Sequence, residues 1–381
     1  MGSSMTFWRA AAARRGLTMR DLGPAIGIEI GGVDLTAPLD EEATAILRGA
    51  VVERTLLLIR GQEALTPGGF VGFARRFGSD LDLHSRRDLC HPDHHEIFVV
   101  GNVVENGRAA GAAKVGLNWH SDHYHLEHPA LFTFLHAILI PPVAGETRYA
   151  NGIAAWEALP EAMRARIAGL KVLHSRGRLY RELFPDATEA QVAEEEARFP
   201  DVVHPLVRTH PESGRRGLYL GGEWGSTILG MSAADSRALY DELLAHITRP
   251  EFLYEHHWRP GDVLMSDNRC SLHRATEWDE TLHKRRLHRL ILLDDARPER
   301  SGGLPASLGP RLRSALRLRA AGRGRLVLRR LQEQWPAAAL ADWSEVPKAV
   351  SAVPPGRTDR LKLADANGRC RLAAGSRRRG R

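Results

Sequence analysis

The chain has 381 residues, of which 43% are hydrophobic and 26% charged, a composition typical of a globular protein. We expect neither a membrane span, which needs roughly 18 to 20 apolar residues, nor a secretory signal, because no segment has the required apolar run. The net charge of +7 comes from residues 297–381, which contain 20 Lys and Arg but 6 Asp and Glu, so it does not indicate nucleic-acid binding by the rest of the chain.

The first half of the chain alternates predicted strands and helices. Isoleucines at every second position from Ile26 to Ile30 have the period of a half-buried strand. Asp40 and Thr66 each precede a helical pattern and are plausible N-caps. The predicted elements are a strand at 26–35, a helix at 40–53, a strand at 55–60, a helix at 66–76, a loop or lid over the site at 85–117, and a buried strand at 131–140.

The second half of the chain contains the clearest predicted helix, at 232–247. Ser232 and Asp235 resemble a capping box, and Leu239 and Leu243 lie on one helix face. The other predicted elements are a short helix at 159–169, a charged and irregular segment at 177–200, and strands at 206–210, 217–220, 263–266 and 285–293. Many short strands separated by turns predict a mixed α/β, mainly β fold, with a double-stranded β-helix (jelly roll) core and flanking helices.

Three parts are expected along the chain: an N-terminal extension at 1–16, a domain at 17–296, and a basic, Arg-rich, partly disordered C-terminal extension at 297–381. Composition favours a solvated appendage for the last part, with contact to nucleic acid or an anionic membrane as the alternative. The three cysteines are widely spaced and form no disulfide pattern, which favours a reducing cytoplasm. The opening Met1-Gly2-Ser3-Ser4 resembles an added tag, which predicts Met5 as the natural start.

The most informative pattern is His120-Ser121-Asp122 together with a distant histidine, His273. Residues i and i+2 of a strand point to the same face, so His120 and Asp122 can hold one metal ion. By itself, His-x-Asp also fits an ordinary polar strand end. Two histidines and one carboxylate, however, form the facial triad that binds non-haem Fe(II) and leaves positions open. Arg289 follows His273 closely and can pair with an acidic cosubstrate, so the combination predicts an iron oxygenase that uses 2-oxoglutarate.

Further motifs extend over about 270 residues of the chain in a fixed order. They are Gly31-Gly32-Val33-Asp34-Leu35, Arg60-Gly61-Gln62, Phe73-Ala74-Arg75-Arg76-Phe77-Gly78, Asn118-Trp119-His120-Ser121-Asp122, Gly145-Glu146-Thr147, Trp258-Arg259-Pro260-Gly261-Asp262, Asp267-Asn268-Arg269, His273-Arg274-Ala275 and Arg285-Arg286-Leu287-His288-Arg289. In these motifs, residues 26–293 resemble the TauD/TfdA family, the taurine dioxygenase and 2,4-dichlorophenoxyacetate dioxygenase family of Fe(II)/2-oxoglutarate oxygenases.

This resemblance implies an enzyme that uses Fe(II), 2-oxoglutarate and O₂, with ascorbate as a reductant in vitro, and that releases succinate and CO₂. The implied iron ligands are His120, Asp122 and His273. Thr147 and Arg289 would bind the distal carboxylate of 2-oxoglutarate, with support from Arg285. An edge-strand salt bridge is the alternative for each arginine, and a turn hydroxyl is the alternative for Thr147. Related halogenases replace the carboxylate ligand with a small residue, so Asp122 favours hydroxylation.

The resemblance also implies a substrate pocket, which departs from the family pattern. His84 aligns with a substrate-contacting histidine and Arg289 would contribute from the other side, while Asn118 and His125 would line the pocket. His125 stands where taurine dioxygenases have Phe, and Ser266 stands where a Trp is common. These changes make the pocket more polar. They favour a small or medium organic acid or an amino-acid-like substrate over taurine, and the family makes a homo-oligomer plausible.

Two other functional classes fit part of the pattern. A non-catalytic metal-binding or ligand-binding jelly roll could use the basic extension to contact nucleic acid. Such a protein would show no charge-transfer band with Fe(II) and 2-oxoglutarate. A zinc hydrolase could use the same three ligands, but it has no use for Thr147 together with Arg289.

Overall fold

The computed structural model describes residues 7–84, 86–113 and 115–293, so the predicted extension at 297–381 lies outside the described residues. The helices in this part are α1 (Phe7–Arg14), α2 (Glu41–Arg54), α3 (Pro67–Arg75), α4 (Gly152–Ala158), α5 (Glu161–Ile167), α6 (Arg176–Leu183), α7 (Glu189–Arg198) and α8 (Ala233–Ile247). The strands are β1 (Thr18–Asp21), β2 (Ile28–Gly31), β3 (Leu56–Ile59), β4 (Phe98–Gly101), β5 (Val104–Glu105), β6 (Arg108–Ala109), β7 (Ala130–Leu139), β8 (Thr147–Asn151), β9 (Lys171–His174), β10 (Val202–Pro205), β11 (Val207–Thr209), β12 (Arg216–Leu218), β13 (Ser226–Ile228), β14 (Leu253–His256), β15 (Val263–Asp267), β16 (Ser271–Ala275) and β17 (Arg286–Leu293).

A seven-stranded sheet in the order β1-β2-β3-β15-β7-β17-β4 organises the fold. The β2–β3 pair is parallel and the other neighbours are antiparallel. One face packs against α1, α2 and α3 through side chains such as Phe134 and Leu290. The opposite face shares a buried cluster with the smaller sheet β14-β8-β16, in which Leu135 and Leu287 of the large sheet are joined by Tyr149.

A third apolar cluster surrounds α4, α5 and α8. It includes residues of the sheet β10-β9-β13 and of the hairpin β11-β12, such as Val172 and Leu218. Asp40, Thr66 and Ser232 each accept a hydrogen bond from the backbone N–H three residues later, at the starts of α2, α3 and α8. These caps confirm three predicted helix starts.

The predicted loop at 85–117 is wrong for the short hairpin of β5 and β6 and for residues 98–101, which form β4 at the edge of the large sheet. β4 pairs with β17, and all four of its residues are buried. The run Phe98-Val99-Val100 lacks the alternation of a half-exposed strand because both of its faces are covered. Periodicity therefore gave no signal for this strand.

The predicted irregular segment at 177–200 is also wrong, because α6 and α7 occupy most of it. A capping box of Thr188 and Gln191 begins α7. Val192 is the buried residue of α7, so this helix lacks the broad apolar stripe that a sequence pattern can detect. The predicted helix at 159–169 corresponds to α5, whereas α4 has no predicted counterpart.

The predicted class, mixed α/β and mainly β, is confirmed. Within the predicted N-terminal extension, α1 packs Trp8 and Ala12 into the cluster under the large sheet, where they are 4% and 0% exposed. Among the described helices, none has both the length and the apolar character needed to cross a membrane.

Candidate active site

His120 and His273 are brought together by direct pairing of their backbones. The N–H of His120 donates to the oxygen of His273 at 3.0 Å, and the N–H of His273 donates to the oxygen of His120 at 2.8 Å. His273 lies in the middle of β16, so this strand positions both residues. The centroids of the two imidazole rings are 4.3 Å apart.

Asp122 completes a group of three side chains that can bind a metal ion. Its Oδ1 lies 4.0 Å from Nε2 of His120, and its Oδ2 lies 3.7 Å from Nε2 of His273. One ligand atom from each residue lies within 4.8 Å of the others. Nδ1 of His120 is 2.8 Å from the backbone oxygen of Asn118. A proton on Nδ1 that donates to this oxygen leaves the lone pair of Nε2 for a metal ion.

Asp122 and His273 have charge states that suit Fe(II). Burial alone would raise the pKa of the Asp122 carboxyl, but Arg289, the two histidines and a hydrogen bond from Thr133 hold this pKa well below its ordinary value. Burial and the neighbouring His120 lower the pKa of His273 to about 3. A carboxylate and a neutral imidazole are therefore available at neutral pH, as metal binding requires.

Buried hydrogen bonds orient the Asp122 carboxylate. Oγ1 of Thr133 donates to Oδ2 of Asp122 at 2.6 Å, and Nδ2 of Asn268 donates to Oγ1 of Thr133 at 2.9 Å. Oδ1 of Asn268 also accepts the backbone N–H of Asp122 at 3.0 Å. Neither Thr133 nor Asn268 was predicted from the sequence to have a role at the site. The sequence feature that could have indicated Thr133 is its polar side chain within the otherwise mainly apolar strand β7.

Arg285 is a buried cation that forms no ion pair within the described part of the chain. It is 2% exposed, and its Nε has no hydrogen-bond partner there. Its guanidinium lies 4.9 Å from the centroid of the Trp278 ring. Burial lowers the pKa of Arg285 to about 10, while the nearby Tyr149 and Glu146 act in the opposite direction. Burying an unpaired charge is costly, so this position favours an anionic ligand.

Thr147 offers a hydrogen bond in the same interior region. It begins β8, is 3% exposed, and lies two residues before Tyr149 on the same strand face. Nε1 of Trp258 donates to Oγ1 of Thr147 at 3.0 Å. Because Trp258 is the donor in this bond, the hydroxyl proton of Thr147 stays available for an acceptor.

Arg289 and His84 both contact the ring of Phe98. The Cζ atom of Arg289 lies 4.8 Å from the Phe98 ring centroid, and the His84 ring centroid lies 4.2 Å from it. Arg289 also reaches the metal-binding group, because its NH1 is 3.3 Å from Oδ1 of Asp122. Burial and the charge of Arg289 lower the pKa of His84 to about 4, so His84 is a neutral hydrogen-bonding group at pH 7.

Two further predicted substrate residues, His125 and Asn118, lie near the same group. The half-buried His125 ring has its centroid 5.8 Å from that of His123 and 5.3 Å from that of Phe199. Asn118 contributes its backbone oxygen to His120, as described above. His123 lies 3.1 Å from Asp82, a contact between distant segments that no local pattern indicates.

Comparisons with known proteins agree with this geometry. The family described as "Taurine catabolism dioxygenase TauD, TfdA family" matches residues 18–291. The alpha-ketoglutarate-dependent 2,4-dichlorophenoxyacetate dioxygenase of Cupriavidus pinatubonensis is 33% identical over 286 residues, which are 72% of this chain and 97% of that protein. Pentalenolactone F synthase of Streptomyces arenae is 29% identical over 279 residues, which are 71% of this chain and 92% of that protein. The crystal structure of AAD-2 in complex with Mn(II) and N-oxalylglycine has a TM-score of 0.61 at 30% identity, and the match covers 73% of this chain and 97% of that one. The chain therefore belongs to the TauD/TfdA family of 2-oxoglutarate-dependent dioxygenases.

Proposed function

We propose that this protein uses Fe(II), 2-oxoglutarate and O₂ to hydroxylate a small or medium-sized organic acid or an amino-acid-like compound. Two features carry the proposal together: the group of His120, Asp122 and His273, and the buried Arg285, which forms no ion pair with any residue that the structure describes. A site for a metal ion alone fits many activities. The buried cation of Arg285 also requires an anion. A keto-diacid can bind the metal ion at one end and pair with this cation at the other.

His120, Asp122 and His273 would hold the iron. Three ligands on one side of the ion leave positions open for 2-oxoglutarate and O₂. Fe(II) bound with these cosubstrates supplies the oxidation, which converts 2-oxoglutarate to succinate and CO₂ and adds an oxygen atom to the substrate. The protein contributes the orientation of the ligands and a neutral imidazole at His273. The carboxylate of Asp122 supports hydroxylation over halogenation.

Arg285 and Thr147 are the best-supported partners for the distal carboxylate of 2-oxoglutarate. Arg285 offers a guanidinium whose Nε has no hydrogen-bond partner among the described residues, and Thr147 offers a hydroxyl proton. The resemblance to the family implied Arg289, together with Thr147, as the partner of this carboxylate, with Arg285 in support. The contact of Arg289 with Asp122 favours a role for Arg289 at the metal end instead. Arg285 and Thr147 are at most 3% exposed, so the charge of Arg285 is little screened by water.

His84 and Arg289 would bind the acidic group of the substrate, with Asn118 and His125 lining the rest of the pocket. Arg289 supplies a permanent charge, and the neutral His84 supplies one N–H donor. A relative named for 2,4-dichlorophenoxyacetate, an organic acid, supports this substrate class.

Three wider features belong to the same proposal. The antiparallel strands on both sides of the interior support a double-stranded β-helix (jelly roll) core. The free thiols of Cys90 and Cys270 support a cytoplasmic location. A homo-oligomer, and contact of the basic C-terminal extension with nucleic acid or an anionic membrane, stay predictions from the sequence.

The alternative functions explain fewer contacts. A non-catalytic metal-binding or ligand-binding jelly roll does not need three oriented metal ligands together with a separate buried cation. A zinc hydrolase uses three metal ligands, but its reaction does not require the buried charge of Arg285. Neither alternative is therefore favoured by a specific observation.

A substrate screen tests the proposed function. Purified protein with Fe(II), 2-oxoglutarate, O₂ and ascorbate is incubated with a panel of organic acids that includes 2,4-dichlorophenoxyacetate. At least one acid should stimulate succinate release and yield a hydroxylated product in matching amount. The proposal would be contradicted if no acid in the panel stimulated succinate release or gave a hydroxylated product, and if the protein also released no succinate in the absence of substrate.

Arg285→Gln tests the assignment of the cosubstrate site. Because the variant removes a desolvated charge, the KM for 2-oxoglutarate should rise at least about thirtyfold. Arg286→Gln is a matched control, since Arg286 pairs with Glu105 and Glu105 is exposed. The control should keep the parent KM. An unchanged KM in Arg285→Gln would remove Arg285 from the cosubstrate site.

A further inference from the structure

The segment 276–285 joins β16 to β17 and ends at Arg285, the buried cation of the proposed cosubstrate site. Its first residue is bonded to the residue before β8: the backbone N–H of Thr276 donates to the backbone oxygen of Glu146 at 2.9 Å, and Oγ1 of Thr276 donates to Oε2 of Glu146 at 2.8 Å. Further along, the ring centroid of Trp278 lies 4.9 Å from the Arg285 guanidinium. The proposed function gives a role to Arg285 but none to the residues that hold this segment in place.

Asn102, which directly follows β4, bonds to the other end of this segment through its side chain. Its Oδ1 accepts the backbone N–H of Arg285 at 2.9 Å. Its Nδ2 donates to the backbone oxygens of Glu280 and His283, each at 2.9 Å. One side-chain amide therefore uses both its oxygen and its nitrogen to hold three positions of the segment.

The backbone of Asn102 also contacts the backbone of Arg285. The N–H of Asn102 donates to the backbone oxygen of Arg285 at 3.2 Å. The preceding residue, Gly101, lies so close that a Cβ atom there would overlap the same oxygen, so this approach requires glycine. Both polar groups of the Arg285 backbone are therefore bound by Asn102, next to the point where Gly101 pairs with Arg286 in the contact of β4 with β17.

The side chain of Arg285 depends on this backbone anchor for its position. No residue that the structure describes forms an ion pair with the guanidinium, and its Nε has no hydrogen-bond partner among them. A desolvated charge interacts strongly with an anion in contact with it. A misplacement of about 1 Å is enough to weaken such a contact severely. Groups that fix the Arg285 backbone therefore affect the affinity for an anionic ligand although they do not touch it.

We propose that Asn102 is a positioning residue for 2-oxoglutarate, because it fixes Arg285 and the end of segment 276–285 so that the guanidinium meets the distal carboxylate. The inference rests on the proposed function, which places that carboxylate at Arg285. Asn102 acts through Arg285 rather than by contact with the cosubstrate. It should therefore affect the binding of 2-oxoglutarate much more than the rate of the steps that follow binding.

Asn102→Ala removes all three side-chain bonds to the segment. The dissociation constant for 2-oxoglutarate is measured without oxygen, from the visible charge-transfer band of the protein with Fe(II). It should rise about tenfold, since Arg285 loses its anchor. The maximal rate of succinate release at saturating 2-oxoglutarate should stay within about twofold of the parent rate, because Asn102 takes no part in the oxidation.

A double-mutant cycle with Arg285→Gln tests whether Asn102 acts through Arg285. In the Arg285→Gln protein, a further Asn102→Ala change should raise the dissociation constant less than about twofold, because the guanidinium that Asn102 positions is gone. Full additivity of the two changes would overturn the assignment. So would a folded Asn102→Ala protein that binds 2-oxoglutarate as tightly as the parent.

Thr281→Ala is the matched control within the same segment. Oγ1 of the exposed Thr281 donates to Oδ1 of Asp279 at 2.6 Å, so this variant removes a hydrogen bond of the segment but none of those to Asn102. It should keep the dissociation constant of the parent, and a rise equal to that of Asn102→Ala would overturn the assignment. Thermal melting checks that each variant is folded.

Asn102→Asp is the second variant, for use if the alanine protein does not fold. It keeps the shape of the side chain but cannot donate to the backbone oxygens of Glu280 and His283. The dissociation constant for 2-oxoglutarate should rise in this variant too, and an unchanged constant would count against the role of Asn102.

The visible band of the parent protein separates this inference from the proposed function. A parent protein that shows the band, together with an Asn102→Ala protein of unchanged affinity, loses the role of Asn102 and keeps the proposed function. A parent protein that shows neither the band nor succinate release loses both.

Discussion

Asp122 receives contacts on both of its carboxylate oxygens. Thr133 donates to Oδ2 at 2.6 Å, and NH1 of Arg289 lies 3.3 Å from Oδ1. Rotation of the carboxylate would break at least one of these contacts. Groups that orient a metal ligand in this way affect metal affinity although they do not touch the metal.

Thr133→Val tests the orientation of this carboxylate. The substitution removes the hydroxyl and keeps the branched shape, so the dissociation constant for Mn(II) should rise about 10- to 100-fold. Electron paramagnetic resonance titration without 2-oxoglutarate measures this constant independently of turnover. Thr133→Ser retains the hydroxyl and should restore the affinity. A Val variant that binds Mn(II) as tightly as the parent would show that Thr133 does not orient Asp122.

Sequence patterns located the predicted metal ligands but not the side chains that support them. The spacing of His120 and Asp122 is local, so a strand with period two indicates it directly. The contact of Thr133 with Asn268 joins β7 to the turn after β15, and it exists because these strands pair in the large sheet. The contact between Asp82 and His123 also joins two segments that are distant in the sequence, so a local pattern does not indicate it.

At the level of elements, a buried ion-pair network holds the turn between β15 and β16. NH2 of Arg269 lies 2.6 Å from Oδ2 of Asp267, and Nε2 of His210 lies 2.9 Å from the same oxygen. Arg269 also pairs with Glu212 at 2.7 Å. These contacts occupy the Asp267 carboxylate, although Asp267, His210 and Cys270 form a second group of possible metal ligands. The turn carries Asn268, which bonds to Thr133 and to the backbone N–H of Asp122. The network therefore supports the metal-binding group by fixing this turn.

Asp267→Asn should lower the free energy of unfolding at pH 7 by about 3 to 5 kcal/mol, because it removes one partner of a buried ion pair. Burial alone would raise the pKa of Asp267, but Arg269 and His210 hold it below its ordinary value. A lowered pKa in the folded state stabilises the protein above the unfolded pKa, about 3.9, and this stabilisation is lost as the pH falls below that value.

Urea unfolding at several pH values measures this effect. The difference between the parent and Asp267→Asn should be largest at pH 7 and should shrink as the pH falls below about 4. A difference that is constant over this range would contradict the role of the Asp267 charge.

Elements with a local signal were predicted well. The helices α2, α3 and α8 begin at side-chain caps that the sequence displays. In contrast, β4 is defined by its pairing with β17, and α7 buries little apolar surface. Their structure depends on partners elsewhere in the chain, which a local pattern does not contain.

At the level of the whole molecule, the residues with assigned or proposed roles lie within 18–291, the segment that the family matches. We therefore expect a protein that ends at residue 296 to fold and to keep kcat for succinate release within about twofold of the full chain. The full chain is the control, and circular dichroism checks folding. Lost turnover in a folded truncated protein would show that the basic C-terminal extension takes part in catalysis.

The central claim, that three side chains hold one Fe(II) to which 2-oxoglutarate binds, has a direct spectroscopic test. The absorption spectrum of the protein with Fe(II) is recorded without oxygen, before and after addition of 2-oxoglutarate. We expect a visible charge-transfer band in the parent and in the control Asp186→Ala, whose substituted residue is exposed, and no band and no succinate release in Asp122→Ala. A parent protein without this band, or an Asp122→Ala protein with an undiminished one, would contradict this claim.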